Sequence, residues 1–197
     1  VTNGVHIPTW ISRKWKDLYH KELDSAFYQK QDDRSIWAKI NNVDQAEIWN
    51  IKNSERKDLI DFIKDAIVSN SLKSYEDPKT IAEIQDKLNP NALTIGFARR
   101  FATYKRAHLL FMDLKRLAAI VNNPFMPVQI FFAGKAHPQD KMGADLIKMI
   151  VDISRRPEFV GKILFLPGYE IALAKKMLHG VDIWMNTPTR PLEASGT

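Results

Sequence analysis

The sequence has 197 residues, of which 45% are hydrophobic and 26% charged, and its formal net charge is +6 at pH 7. These fractions are typical of a globular protein, and no apolar run approaches the roughly 18 residues that cross a bilayer, so we expect no membrane partner. The chain has no cysteine. This excludes disulfides and thiolate metal sites, and it fits a reducing compartment such as the cytoplasm.

The histidine spacing and the charge distribution argue against metal and nucleic-acid ligands. The histidines include no pair at i, i+4 spacing, so no metal site is predicted. The positive charge is spread along the chain and forms no basic run that alternates with aromatic residues. We therefore expect no nucleic-acid partner, and a non-catalytic phosphate- or nucleic-acid-binding module is the least favoured hypothesis. Because the chain starts at Val1 without a methionine, we expect an internal segment of a longer polypeptide.

Residues 1–90 are predicted to be mainly helical. Ser12 is a candidate N-cap for the first amphipathic stretch. An Asp-x-x-Glu pattern that starts at Asp44 resembles a capping box, and the apolar positions behind it fit two helices or one long one. The polar stretch 69–79 is predicted as a connection before a short helix over 81–88.

Residues 91–197 have a different pattern, in which apolar strands alternate with helices. The predicted strands are 92–98, 128–132, 163–166 and 181–185, and the predicted helices are 104–121, 141–154 and 171–178. Fully apolar strands in such an alternation are typical of a parallel sheet covered on both faces. The predicted fold class is therefore α/β, with a Rossmann-like parallel sheet. Because ligands of such sheets bind beyond the carboxyl ends of the strands, the segments that follow the strands should converge on one crevice.

A cluster of cations follows the first predicted strand. Its members are Arg99, Arg100, Lys105 and Arg106. With Thr103 as N-cap, two of them lie in the first turn of the predicted helix, where the dipole makes each cation unfavourable by about 0.3 to 1 kcal/mol. No acidic residue lies between Asp86 and Asp113 to compensate them. The sequence therefore predicts a phosphate bound here, with a solvated basic patch as the alternative.

The later strand ends carry further candidate residues. Lys135 follows Gly134 and either adds a cation to the crevice or is solvated. Tyr169 either packs or presents its ring to a ligand. Glu193 opens a Glu-Ala-Ser-Gly-Thr segment in which small residues let a ligand contact backbone N–H groups, and the carboxylate can accept hydrogen bonds from sugar hydroxyls. The alternative for this segment is a helix cap with nothing bound.

Taken in order, several segments resemble a known family. They are Thr2-Asn3-Gly4-Val5-His6 with Trp10, then residues 98–106, then Phe132-Ala133-Gly134-Lys135-Ala136-His137-Pro138, then Asn186-Thr187-Pro188 and Glu193-Ala194-Ser195-Gly196-Thr197. The set resembles the α-glucan phosphorylases, which include glycogen, starch and maltodextrin phosphorylases. The resemblance is greatest to their shorter bacterial and archaeal branch.

The resemblance implies a GT-B architecture, in which 91–197 form part of the C-terminal Rossmann-like domain and 1–90 link to an N-terminal domain. It implies a homodimeric enzyme that uses pyridoxal 5'-phosphate and cleaves α-1,4-glucan ends with orthophosphate to give glucose 1-phosphate. The family's Schiff-base lysine lies a few residues after the Gly-Thr pair, and no lysine of this chain matches it. We therefore expect the segment alone to be inactive and to hold the cofactor weakly or not at all.

The resemblance also assigns roles to individual residues. The catalytic residues that would hold orthophosphate are Arg100 and Lys105. The cofactor-binding residues would be Arg99, Tyr169, Lys135 and Thr197. The residues that would bind the terminal glucose are Glu193, Ala194, Ser195 and Gly196. Arg99 stands where many relatives have a lysine, so the charge is kept while the geometry differs.

A nucleotide-sugar-dependent GT-B glycosyltransferase, such as a bacterial glycogen synthase, is the alternative. Those enzymes usually have two glutamates eight positions apart in the final segment. Here Met185 stands eight positions before Glu193, and Glu-Ala-Ser-Gly-Thr replaces their Glu-Pro-containing sequence. The phosphorylase is therefore favoured.

Overall fold

The structure is a computed structural model that describes residues 4–74 and 77–193. The chain divides into two compact units, Val1–Glu55 and Arg56–Thr197. In the described ranges, no helix is both long enough and apolar enough to cross a membrane.

The first unit is helical. Its helices are α1 (Ile7–Trp10), α2 (Arg13–Glu22), α3 (Arg34–Ala38) and the start of α4 (Gln45–Ser74), with 3-10 turns at Phe27–Gln29 and Lys39–Asn42. The Ser12 side chain accepts a hydrogen bond from Trp15 N at 3.3 Å, so the predicted N-cap of α2 is confirmed. Leu23, Phe27 and Ile36 form the buried core of this unit.

Helix α4 is one long helix rather than two. Asp44 accepts a hydrogen bond from Ala46 N at 2.9 Å and so satisfies a free donor of the first turn. The predicted connection over 69–79 is wrong at its start, because α4 continues to Ser74. From Gln45 onward, the first Gly or Pro in the sequence is Pro78, the first residue of α5 (Pro78–Lys87).

The second unit contains a parallel sheet of four strands. These are β1 (Leu93–Ala98), β2 (Val128–Ala133), β3 (Ile163–Leu166) and β4 (Ile183–Trp184). The helices between them are α6 (Leu114–Val121), α7 (Lys141–Ser154) and α8 (Ile171–Gly180). The predicted parallel sheet with alternating helices is confirmed, and the predicted strands differ from the observed ones only at their ends.

Alternate residues of β2 contribute to two separate cores, one on each face of the sheet. Ile130 and Phe132 pack with residues of α6 and α7, whereas Phe131 and Ala133 pack with residues of α4 and α8. Every residue of β2 is buried. This burial on both faces explains why the strand sequences are continuously apolar.

The single helix predicted over 104–121 is wrong. Two 3-10 turns, Thr103–Lys105 and Ala107–Phe111, precede α6. Arg106 stands between them with a φ of 55°, a left-handed conformation that cannot continue an α-helix. Asp113 is the N-cap of α6 and accepts from Arg116 N at 2.9 Å. Thr103 is therefore not the cap of a long helix, and no α-helix dipole acts on Lys105.

The strand order β3-β2-β1-β4 places the site-bearing segments together. From β1 the chain proceeds to β2 and β3 on one side, whereas β4 pairs with β1 on the other side. Such a reversal opens a crevice beyond the carboxyl ends of the two strands between which it occurs. In this sheet those strands are β1, which is followed by Arg99, and β4, which is followed by Asn186.

Candidate active site

Glu193 lies at the centre of a charged cluster beyond the ends of β1 and β4. Its Oε1 accepts a hydrogen bond from Nη2 of Arg99 at 2.8 Å, and its Oε2 lies 2.5 Å from Nζ of Lys105. The three side chains are each at most 15% exposed. The carboxylate that compensates these cations is thus remote in sequence and adjacent in space.

Pairing between β1 and β4 brings the partners within reach. Gly96 is in register with Trp184, and Met185 N donates to Gly96 O at 2.8 Å. The chain therefore leaves β4 beside the exit of β1. There Arg99 donates through Nη1 to the side-chain oxygen of Asn186.

The turn that carries Lys105 is fastened to the segment after β4 by four hydrogen bonds. Nε of Arg106 donates to Thr187 O at 2.8 Å, and Nη2 donates to Pro188 O at 3.3 Å. In the opposite direction, Thr187 Oγ1 donates to Lys105 O at 3.0 Å. Thr189 N donates to the carbonyl oxygen of the residue before Lys105 at 2.8 Å. These bonds join the backbone at Lys105 to the segment that leads to Glu193.

Lys105 is a buried cation, with 6% of its surface exposed. Its Nζ lies 4.6 Å from the centroid of the Tyr104 ring, which offers the negative face of its π-system. A buried ammonium is costly unless it is paired, and Glu193 provides the pairing.

The cations hold Glu193 in its ionised form. The Lys105 ammonium lowers the pKa of Glu193 most; Arg99 lowers it further, and partial burial opposes both. Oε2 is buried, and among the described residues the group it faces is the Lys105 ammonium, 2.5 Å away.

The cluster has more positive than negative charge. Arg99 and Lys105 share the single carboxylate of Glu193. Arg100 is exposed, and within the described part of the chain it has no hydrogen bond or ion pair. The arrangement therefore attracts a further anion, and Arg100 is available to bind it.

Tyr169 borders the cluster. Its hydroxyl donates to Ala98 O at 3.3 Å, and its ring packs against the core that α4 and α8 share. Burial raises the pKa of Tyr169, and the positive charge of Arg99 opposes this rise. The ring thus packs, as one of the two interpretations of the sequence has it, while its hydroxyl reaches the end of β1.

The backbone of Lys135 contacts the segment that follows β1, but its side chain does not. Its carbonyl oxygen accepts from Phe101 N at 3.0 Å, while the side chain is exposed. Gly134 has a φ of 156°, and a Cβ there would lie 2.0 Å from Arg99 O. The glycine is required because the exits of β1 and β2 approach so closely.

Comparisons with known proteins place the chain in a family. The family described as "Phosphorylase: Carbohydrate phosphorylase" matches residues 1–197. The chain belongs to this family. It is 44% identical to a glycogen phosphorylase of Aquifex aeolicus and 40% identical to a maltodextrin phosphorylase of Thermococcus litoralis, each over 100% of this chain. A glycogen phosphorylase of Mycobacterium bovis is 37% identical, again over 100% of this chain.

The chain spans between 22% and 28% of the length of these three phosphorylases. The resemblance in the sequence motifs is thus confirmed at the level of the family. The match covers the helical segment as well as the parallel sheet.

The structure gathers some of the residues that the phosphorylase resemblance selects and not others. Arg99, Lys105 and Glu193 are in contact, and Tyr169 lies beside them. The side chains of Arg100 and Lys135 are exposed and take no part in the ion pairs. The candidates outside the described residues are Ala194, Ser195, Gly196 and Thr197.

The sequence analysis counted Arg106 among the clustered cations, but the phosphorylase resemblance gave no individual role to Arg106 or to Asn186, although both contact the cluster or its supports. The signal was available, because both residues lie inside the segments that carry the phosphorylase resemblance. The sequence does not reveal that β1 pairs with β4, and it is this pairing that brings the segments after the two strands face to face. In the part of the chain that the structure describes, no group of three or more acidic or histidine side chains is placed to hold a metal.

Proposed function

We propose that this chain is the part of an α-1,4-glucan phosphorylase that binds orthophosphate, the cofactor and the terminal glucose. The observation that supports the proposal is the contact of Arg99 and Lys105 with Glu193 at the point where the strand order reverses. Membership of the carbohydrate phosphorylase family gives the reaction class.

The proposed reaction exchanges one bond at the anomeric carbon for another. The bond between C1 of the terminal glucose and O4 of the next residue breaks, and a bond from C1 to a phosphate oxygen forms. The proton of orthophosphate goes to the leaving O4, so the products are glucose 1-phosphate and a glucan shorter by one residue. Positive charge held in place before the reaction favours such a step, because it binds the phosphate without reorganising.

Arg100 and Lys105 hold the orthophosphate in this proposal. Lys105 is fixed by burial and by the bonds around its turn, whereas Arg100 is exposed and can close onto the anion. A guanidinium binds two phosphate oxygens at once, and an ammonium acts as a point charge. Lys105 thus provides a fixed positive charge, and Arg100 closes over the phosphate once it is bound.

Glu193 orients the terminal glucose through its hydroxyls, together with Ala194, Ser195 and Gly196. Its depressed pKa keeps it an acceptor, since an ionised carboxylate accepts hydrogen bonds and donates none.

The donor set also fits pyridoxal 5'-phosphate, which is itself an anion. The fit rests on the surplus of cations over carboxylates and on the hydroxyl of Tyr169 at the end of β1. Arg99, Lys135, Tyr169 and Thr197 would hold it, and its phosphate group rather than its ring takes part in the chemistry when it is bound. We propose no covalent anchor among the lysines of this chain.

The activity belongs to the full-length protein, for which we propose a homodimer. The 197-residue chain covers about a quarter of the length of its relatives, so we expect no turnover from the chain alone. Assaying the full-length protein and the 197-residue chain side by side for release of glucose 1-phosphate tests this expectation.

The test is the release of glucose 1-phosphate from maltoheptaose by the full-length protein, with and without orthophosphate. We expect release that saturates with orthophosphate. The same protein is assayed with a glucose nucleotide as donor and with glycogen as acceptor. Glucosyl transfer from the nucleotide without phosphorolysis would overturn the proposal in favour of a synthase.

A further inference from the structure

The bonds around Lys105 indicate a role for a residue outside the proposed binding set. We propose that Arg106 is a positioning residue, whose guanidinium ties the turn that carries Lys105 to the segment after β4 and thereby sets Lys105 against Glu193. The inference rests on the proposed phosphorolysis, which supplies its readout.

The backbone of Arg106 is in an unfavourable state for a residue with a side chain. Its φ of 55° lies in the left-handed region, where glycine and asparagine are the usual residues. The free-energy cost of this conformation must be offset by contacts of the arginine side chain. The two hydrogen bonds to Thr187 O and Pro188 O supply it.

These acceptors require a guanidinium. Nε and Nη2 reach two successive carbonyl oxygens at 2.8 and 3.3 Å, which matches the planar fork of arginine and not the single ammonium of lysine. Within the described residues Arg106 has no carboxylate partner, so its hydrogen-bonding capacity is directed to the backbone of the facing segment.

The linkage extends to both members of the ion pair. Thr187 donates its hydroxyl to Lys105 O at 3.0 Å, and the same segment continues to Glu193. If the guanidinium is removed, the turn and the segment can separate, and the flexible stem of Lys105 no longer fixes its distance from Glu193. Misplacement of a binding group by about 1 Å can cost up to about a hundredfold in rate.

The variants are made in the full-length protein. R106G removes the side chain and relieves the left-handed backbone, R106K keeps the charge and loses the fork, and T187V removes the hydroxyl that bonds to Lys105 O. R116Q, at an exposed arginine of α6, is the matched control. Each is assayed for kcat and for KM for orthophosphate across pH, with melting temperature as a check on folding.

We expect R106G to raise KM for orthophosphate about tenfold, with T187V changing in the same direction and R106K falling between R106G and wild type. The groups that face Glu193 are Lys105 and Arg99, so loosening the turn should also move the acid limb of kcat/KM upward in pH. A purely structural role would lower the melting temperature and leave that limb in place. R116Q should match wild type.

The outcomes distinguish a failure of the positioning role from a failure of the proposed function. If the wild type is active and R106K and T187V both keep its KM and acid limb, the positioning role is overturned; these two variants decide the matter where R106G does not fold. If the wild type releases no glucose 1-phosphate, the proposed function fails and this inference fails with it.

Discussion

The two ends of the sheet each hold a carboxylate beside an arginine, and they differ in how completely the carboxylate is bound. At the start of β4, both oxygens of Asp182 lie 2.8 Å from Nη1 of Arg56, and Thr94 N donates to one of them at 2.8 Å. At the other end, Glu193 faces two cations and leaves Oε2 without a well-directed hydrogen bond among the described residues.

The comparison distinguishes a structural ion pair from a binding site. The Arg56–Asp182 pair joins α4 to the entry of β4, and Arg56 is 4% exposed. Its carboxylate is fully used by the protein. The Glu193 cluster has two cations for one carboxylate, and such surplus positive charge is what an anionic ligand exploits.

The largest expected effect is on stability, at the Arg56 end. R56M leaves the largely covered carboxylate of Asp182 without its cation, which should destabilise the protein by about 2 to 4 kcal/mol. Urea and thermal denaturation of the full-length protein measure the loss. Activity per folded molecule should be unchanged, and a loss of activity at unchanged stability would break the comparison.

The largest expected effect on activity is at Lys105. K105M removes the buried ammonium, and we expect kcat/KM for phosphorolysis to fall by about 100- to 1000-fold, as when one preorganised donor is lost. K115M, at an exposed lysine of α6, is the matched control and should keep full activity. Equal activities of the two variants would contradict the assignment.

The charge of Glu193 should appear in the pH dependence of stability. Because its folded pKa lies below the ordinary value of 4.5, its contribution is present above that pH and is lost as the pH falls through the lowered pKa. The melting temperature of the wild type should exceed that of E193Q at pH 7, and the two melting temperatures should converge at acidic pH. Melting curves from neutral to acidic pH check this, and a constant difference would be inconsistent with an ionised Glu193.

The smallest expected effect is at Lys135. Because this lysine is exposed, its charge is screened, and K135Q should weaken retention of the cofactor by about twofold to fivefold at low salt. Dialysis of the full-length protein followed by absorbance of the retained cofactor measures it. K141Q is the control, and equal retention by both variants would remove Lys135 from the cofactor site.

The strands and most helices of the second unit could be predicted because their burial is encoded locally. Residues 163–166 and 141–154 are predicted with the bounds that the structure shows, since apolar runs and helical periodicity are properties of adjacent residues. The helix over 104–121 could not be predicted correctly. Its interruption at Arg106 depends on acceptors after β4, far along the chain.

The candidate site shows the same limit. The sequence located Arg99, Lys105 and Glu193 individually, the two cations as parts of an anion site and Glu193 as an acceptor for sugar hydroxyls. It assigned the missing counter-charge to a ligand alone, whereas Glu193 supplies part of it. The local sequence reveals a surplus of positive charge after β1, but only the strand order shows that the distant carboxylate of Glu193 reduces it.

The proposed function depends on an anion site that Lys105 and its neighbours form at the end of β1. Titration calorimetry of the full-length protein with orthophosphate measures binding at this site, with K105M and K115M measured in parallel. We expect saturable binding in wild type and K115M and a loss of binding in K105M. Equal orthophosphate affinity in all three proteins would contradict the account.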